Sequence, residues 1–217
     1  MSEAAKTDGI FNLTVPVVMT FPQLFDAKAF TKNGKAQGEP KYSANFEFPI
    51  ASEDLKAIKA LMGKMARSKW PDKPLTELCF PLANGDKLAD ARKEKGKDDG
   101  EHMRGKVVIS ARSKYEPRLA YLDGGKIVDL DNVTAKAAAK NKFYPGVEVL
   151  AQFNLVPYDA VGQNSRGGVT AYLNMVLSTG KGARLSGGQT ASEAFKGYVG
   201  SVSAENPEAP GSEEIPF

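Results

Sequence analysis

The chain of 217 residues has one cysteine, Cys79, and one histidine, His102. A single cysteine cannot close an internal disulfide, so nothing argues for a disulfide scaffold or for secretion. One cysteine and one histidine fall short of a Cys/His zinc site. No apolar run approaches the roughly 18 residues of a membrane span. The start, Met1-Ser2-Glu3-Ala4-Ala5-Lys6, lacks the basic-then-apolar order of a signal peptide. These absences point to a cytoplasmic protein without a membrane partner.

Catalytic machinery is equally scarce. His102 lies in a charge-dense segment, with no nucleophile or orienting acid assignable to it, and reads as a surface histidine. Cys79 stands in the apolar stretch Leu78-Cys79-Phe80-Pro81-Leu82, which suits a buried, inert thiol. No phosphate-binding loop of the form G-x-x-x-x-G-K-[ST] occurs. Leu185-Ser186-Gly187-Gly188-Gln189 matches the signature peptide of ABC-type ATPases, but without a phosphate loop it lacks the context that gives that peptide a role. Asp98, Asp99 and Glu101 are the acids that a Mg²⁺-dependent nuclease would use; among lysines they read as a solvated, self-neutralising face. No enzyme activity, metal or cofactor is expected.

The last absence is of positive charge. The chain has 29 basic and 26 acidic residues, a net charge of +3, yet no Lys or Arg follows Lys196. Four acids, Glu205, Glu208, Glu213 and Glu214, do, so the body carries +7 and the end −4. From Leu185 onward Gly, Ser, Ala, Glu and Pro dominate, which predicts a folded domain over 1–185 and a flexible, disordered acidic tail over 186–217.

The body reads as mainly β with minor α. Ile10 to Phe25, interrupted by Pro16 and Pro22, suits a long bent or edge strand. A lysine-rich loop with Asn33-Gly34 follows, then Tyr42 to Ile50 alternates aromatic and polar residues as a half-buried strand. Ser52, with Glu53 and Asp54, starts an amphipathic helix carrying Leu55, Ile58, Leu61, Met62 and Met65, and Trp70-Pro71 ends it. Residues 86–106 read as an exposed, mobile loop. Strands are expected at Lys106 to Tyr115, Val147 to Tyr158 and Val169 to Ser178, with a turn at Asp123 to Gly125 and a short helix near Thr134 to Lys140. Five strands with an inserted helix fit a five-stranded oligonucleotide-binding (OB) barrel.

Single strands are held by cations that track phosphates and rings that stack on bases. Lys106, Arg112 and Lys114 share one face of a predicted strand, followed by Tyr115 and Arg118. Lys28, Lys32, Lys35 and Lys41 surround the first hairpin next to Tyr42, and Tyr158 and Arg166 flank the later loop. These twelve residues are the DNA-binding candidates, with Tyr42 also readable as core because it shares a face with Phe46 and Phe48. The end, Glu213-Glu214-Ile215-Pro216-Phe217, joins acids to an apolar aromatic terminus, a shape that docks into a basic, apolar pocket on a partner or competes with DNA for the protein's own groove.

That tip resembles the acidic Ile-Pro-Phe end of bacterial single-stranded DNA-binding proteins. Arg112-Ser113-Lys114 with Pro117, Phe143-Tyr144-Pro145-Gly146-Val147, Pro157-Tyr158-Asp159 and Gly167-Gly168-Val169 are similar to the core of tailed-phage single-stranded DNA-binding proteins. The resemblance implies an OB-fold that coats and protects single strands with little sequence preference during phage replication, recombination and repair. It also implies a monomer or homodimer in the host cytoplasm that recruits replication or recombination proteins through its tip. A metal-dependent nuclease and a non-enzymatic virion or assembly protein are the alternatives.

Overall fold

The computed structural model describes residues 9–32, 35–97, 100–161 and 165–185. The predicted alternation appears as β3 (Lys35–Pro49), which buries Ala44, Phe46 and Phe48. It pairs antiparallel with β2 (Val17–Lys32), and the register still holds at Lys32↔Lys35. The lysine-rich segment expected as a loop is therefore two strand arms, with only Asn33-Gly34, outside the described residues, between them. Two residues of this type are a strong hairpin signal, and arms that project into water need no apolar face.

The helix expected after Ser52 is α1 (Glu53–Lys69); the Ser52 hydroxyl oxygen accepts from the Leu55 N–H at 3.3 Å. Its buried side includes Leu55, Ile58, Met62 and Ala66. Asp54, also buried, accepts from the Thr14 N–H and hydroxyl, both at 2.8 Å, and from the Val15 N–H at 3.2 Å. That carboxylate ties the helix start to the turn between β1 (Ile10–Asn12) and β2.

The remaining elements are β4 (Leu82–Asn84), α2 (Gly85–Lys93), β5 (Lys106–Ser113), β6 (Arg118–Asp123), β7 (Lys126–Asp129), α3 (Val133–Ala139), β8 (Glu148–Tyr158) and β9 (Gly168–Ser178). They form one sheet of nine strands in the order β4-β5-β3-β2-β8-β9-β6-β7, with β1 added on β8. The expected five strands are present as β2, β3, β5, β8 and β9. The strand expected from Ile10 to Phe25 is split into β1 and the start of β2, and the expectation lacks β4, β6 and β7, which are only three to six residues long and too short for alternation to register. The core lies between the inward face of this sheet and α1, with Phe46 and Phe153 edge to face at 5.0 Å.

Residues 86–106 depart most from expectation. Instead of a mobile loop they form α2, capped by the Asn84 side chain, and a 3-10 turn at Glu101–Met103; Ala89 and Met103 are buried. His102 is not a surface residue. It is 16% exposed and its Nδ1 lies 2.6 Å from Oε1 of Glu47, whose side chain is fully buried. Glu47 belongs to the outward set of β3, but this segment roofs it, and a buried carboxylate requires partners.

The sheet does not close by a β5–β9 ladder among the described residues, although the two strands approach each other. Residues 79–84 run between them. The Cys79 N–H donates to the Gly167 carbonyl at 3.0 Å and Val169 N–H to the Cys79 carbonyl at 2.9 Å, while Ser110 N–H donates to the Pro81 carbonyl at 3.0 Å before β4 joins β5. A Cβ on Gly168 would stand 2.0 Å from the Cys79 carbonyl oxygen, so this seam requires glycine. Cys79 is half-buried in the seam rather than sealed in the core.

Candidate nucleic-acid interface

Directly opposed residues of an antiparallel ladder share a face, so the registers define rows across the outward side of β2, β3 and β5. One row is Gln23–Ser43–Arg112 and the next is Thr20–Asn45–Ser110. The Ser43 hydroxyl donates to Gln23 Oε1 at 3.3 Å, and the Ser110 hydroxyl to Asn45 Oδ1 at 2.8 Å. Arg112 is exposed and lines two cavities. One, of about 570 Å³, also holds Lys28, Lys41, Glu39 and Ser43. The other, of about 320 Å³, holds Phe80, Ser110, Tyr158 and Thr170.

Among the described residues no ion pair or side-chain hydrogen bond engages Lys28, Lys41 or Arg112. Lys28 and Lys41 stand directly opposite each other. Like charges in that relation repel, and Arg112 on the neighbouring strand adds a third cation. Folding alone gains nothing from this arrangement. An anion laid across the three cations removes the repulsion.

Tyr158 stands at the end of β8 and is 36% exposed. Burial first, and then the neighbouring Cys79 thiol, push its phenol above the usual tyrosine range, so the ring presents no negative charge at neutral pH. A third cavity, of about 710 Å³, continues along the outward side of β8 and β9. It is lined by Lys114, Tyr115, Arg118, Asn154 and Tyr172, among others. Tyr115 is 84% exposed and Tyr172 41%. Arg118 has no side-chain partner among the described residues, whereas Lys114 pairs with Glu39. The Gln152 amide at the cavity wall donates to Asn12 Oδ1 at 2.8 Å and accepts from Asn174 at 3.4 Å. Sequence reading did not single out Tyr172. The signal was present, because Val169, Ala171 and Leu173 point inward and place Tyr172 outward.

Seven sequence candidates thus line three adjoining cavities: Lys28, Lys41, Arg112, Lys114, Tyr115, Arg118 and Tyr158. The others stand apart. Lys106 shares the outward face but its Nζ lies 2.8 Å from Oε2 of buried Glu47. Tyr42 is half-buried and falls with Ala44, Phe46 and Phe48 on the inward set of β3. Lys35 is exposed at the far end of the hairpin and pairs there with Lys32, of which only the backbone is described. Arg166, in the β8–β9 connection, is exposed and lines none of these cavities. Glu213, Glu214, Ile215, Pro216 and Phe217 lie outside the described residues, as do Asp98 and Asp99. Glu101 accepts from Arg104 at 2.7 Å, and that bond holds its carboxyl below the usual range. No three His, Cys, Asp or Glu side chains gather as a metal site among the described residues.

No curated protein sequence matches the chain. Among solved structures, the single-stranded DNA-binding protein from bacteriophage Enc34 in complex with ssDNA superposes with a TM-score of 0.61 at 19% identity. The match covers 83% of this chain and 91% of that one. A second structure of the single-stranded DNA-binding protein from the same phage gives 0.58 at 18% identity, over 87% and 91%. The gp2.5 single-stranded DNA binding protein of bacteriophage T7 gives 0.51 at 12% identity, over 94% and 98%. Likeness at such identities establishes the shared fold. The sequence match goes further: residues 12–207 fit the family described as Enterobacter phage Enc34, ssDNA-binding protein, and the chain belongs to that family.

Proposed function

We propose that this protein binds single-stranded DNA, without catalysis, along the outward side of β2, β3, β5, β8 and β9, and coats it during phage DNA replication. The observation that carries the reading is the cluster of Lys28, Lys41 and Arg112, with no ion pair among the described residues, lining one cavity beside others walled by Tyr158, Tyr115 and Tyr172. Cations without protein partners neutralise phosphates, and the rings stack on bases whatever their sequence. The run β5-β3-β2-β8-β9, closed through residues 79–84, acts as a partly open OB barrel, a fold that binds oligonucleotides on its second and third strands and in the loops beside them. Here those strands are β3 and β5. Lys35 and Arg166 serve as outer contacts at the hairpin end and the β8–β9 loop. The domain 1–185 holds DNA, and the tail 186–217 ends in the acidic tip that recruits partner proteins inside the cell.

Titration of labelled oligo-dT at several salt concentrations tests the reading. Log affinity should fall against log salt with a slope of about 0.7 per phosphate contacted. A flat response removes the electrostatic groove. Removing Glu213 to Phe217 should leave DNA binding intact or stronger while ending recruitment of partner proteins; weaker DNA binding would assign the tip to the groove instead.

A further inference from the structure

Phe21 is the one non-glycine residue with positive φ, +49°, among the described residues. It occupies a bulge. Thr20 opposes Asn45 and Gln23 opposes Ser43, so Phe21 and Pro22 together face the single residue Ala44 of β3. A phenylalanine in the left-handed region is unfavourable, and such strain collects at functional sites. The residue is 38% exposed, although Met19, Thr20 and Leu24 around it are buried. Hydrophobic burial therefore does not compensate for this backbone.

Arg92 of α2 holds its guanidinium carbon 4.6 Å from the centroid of the Phe21 ring. Gly100 leaves room for the arginine stem, because a Cβ there would come within 3.2 Å of Arg92 Cδ. The chain after α2 brings His102 onto Glu47, on the outward side of β3, so α2 and the Phe21 ring stand over that same side. The bulge falls between the Asn45–Ser110 and Ser43–Arg112 rows, two strands from β5 and thus about 10 Å from Arg112. Beside Arg92, α2 and the turn that follows expose Lys87, Lys93, Lys95 and Lys97 against two exposed acids, Asp90 and Glu94, the first of which pairs with Arg104.

We propose that Phe21 and Arg92 form a further base-stacking station, where the strand leaving Arg112 continues over Asn45 toward α2. A nucleobase extends the stack begun by guanidinium and ring, and the lysines of α2 meet the next phosphates. This extension rests on the single-strand reading above. A protein partner would also cover an exposed ring, but continuity with Lys28, Lys41 and Arg112 and the lysines at and after the end of α2 favours a polyanion.

Phe21→Gly is the informative variant, because glycine adopts this φ without strain and the fold is kept. Affinity for long oligo-dT should fall about tenfold. Short oligomers that fill only the Arg112–Tyr158 stretch should bind as before, and the melting temperature should hold or rise. Phe21→Trp should retain affinity, and its fluorescence should be quenched by long oligo-dT. The station is overturned if Phe21→Gly binds long oligomers like the parent, or if it loses short and long ones equally. Arg112→Ala in parallel separates the two readings. If it too leaves affinity unchanged, the groove itself is wrong; if it alone weakens binding, only the Phe21 station falls.

Discussion

Lys106 and Arg112 are six residues apart on the outward face of one strand, and the fold puts them to opposite uses. At the Lys106 end, α2 and the 3-10 turn roof the sheet, and the lysine and His102 both turn to Glu47. At the Arg112 end no described segment roofs the sheet, and Arg112, Lys28 and Lys41 form no ion pair among the described residues; the one acid in their cavity, Glu39, is paired with Lys114. Charge that is internally matched stabilises a fold. Charge left unmatched on a concave, ring-lined face is available to a polyanion. Residue type and strand parity are the same at both ends; only the covering differs.

The largest effect that tests this contrast is on stability. Lys106→Met removes one partner from a fully buried carboxylate and should cost about 3 kcal/mol in denaturant unfolding. Oligo-dT affinity at temperatures where the variant is folded should stay within about twofold. A clear drop in affinity with a shallower salt slope would place Lys106 on DNA and dissolve the distinction. Next in size, Tyr158→Leu should leave the melting temperature nearly unchanged but weaken oligo-dT binding by about 2 kcal/mol, close to 30-fold. Because burial raises the Tyr158 phenol, the parent's binding should show no tyrosine titration as pH rises from 7 to 9.

Arg112→Ala should act more gently and in a different currency. Removing one phosphate contact lowers the salt slope by about 0.7 and affinity by several-fold at low salt, with stability unchanged. An undiminished slope with full affinity would mean that the strand runs elsewhere on the sheet.

Features settled within a few residues were legible in the sequence. Ser52 and its two acids announce α1, and the parity of Lys106 to Lys114 gives the outward set. Legibility ended where a distant segment decides. Nothing near Lys106 reveals a carboxylate 59 positions away, and nothing near His102 reveals that it will be tucked under a turn. The strand Leu82–Asn84 escapes notice because three residues carry no period. The hairpin arms read as loop because their lysine-rich composition carries no apolar period, leaving only the Asn33-Gly34 turn to announce them. Tyr172 is the avoidable miss, since the pattern that placed Leu173 inward had already turned it outward.

The smallest effect sits on the boundary between the two regimes. Lys114 lies in the open part of the groove, yet it is paired with Glu39, and that hydrogen bond holds the Glu39 carboxyl below its usual range while raising the lysine. Both side chains are exposed, so the pair is weak and readily exchanged for phosphate. A lowered carboxyl means that the pair persists at neutral pH and is lost only as pH falls through that lowered value. Glu39→Gln imitates the loss at pH 7. It removes an anion from the groove and frees Lys114, so oligo-dT should bind about threefold tighter with a slightly steeper salt slope. Tightening would mean that even the open end holds one acid in reserve against DNA. Weakening would mean that Glu39 orients Lys114 for its phosphate, and matched and unmatched charge would then cooperate within one groove.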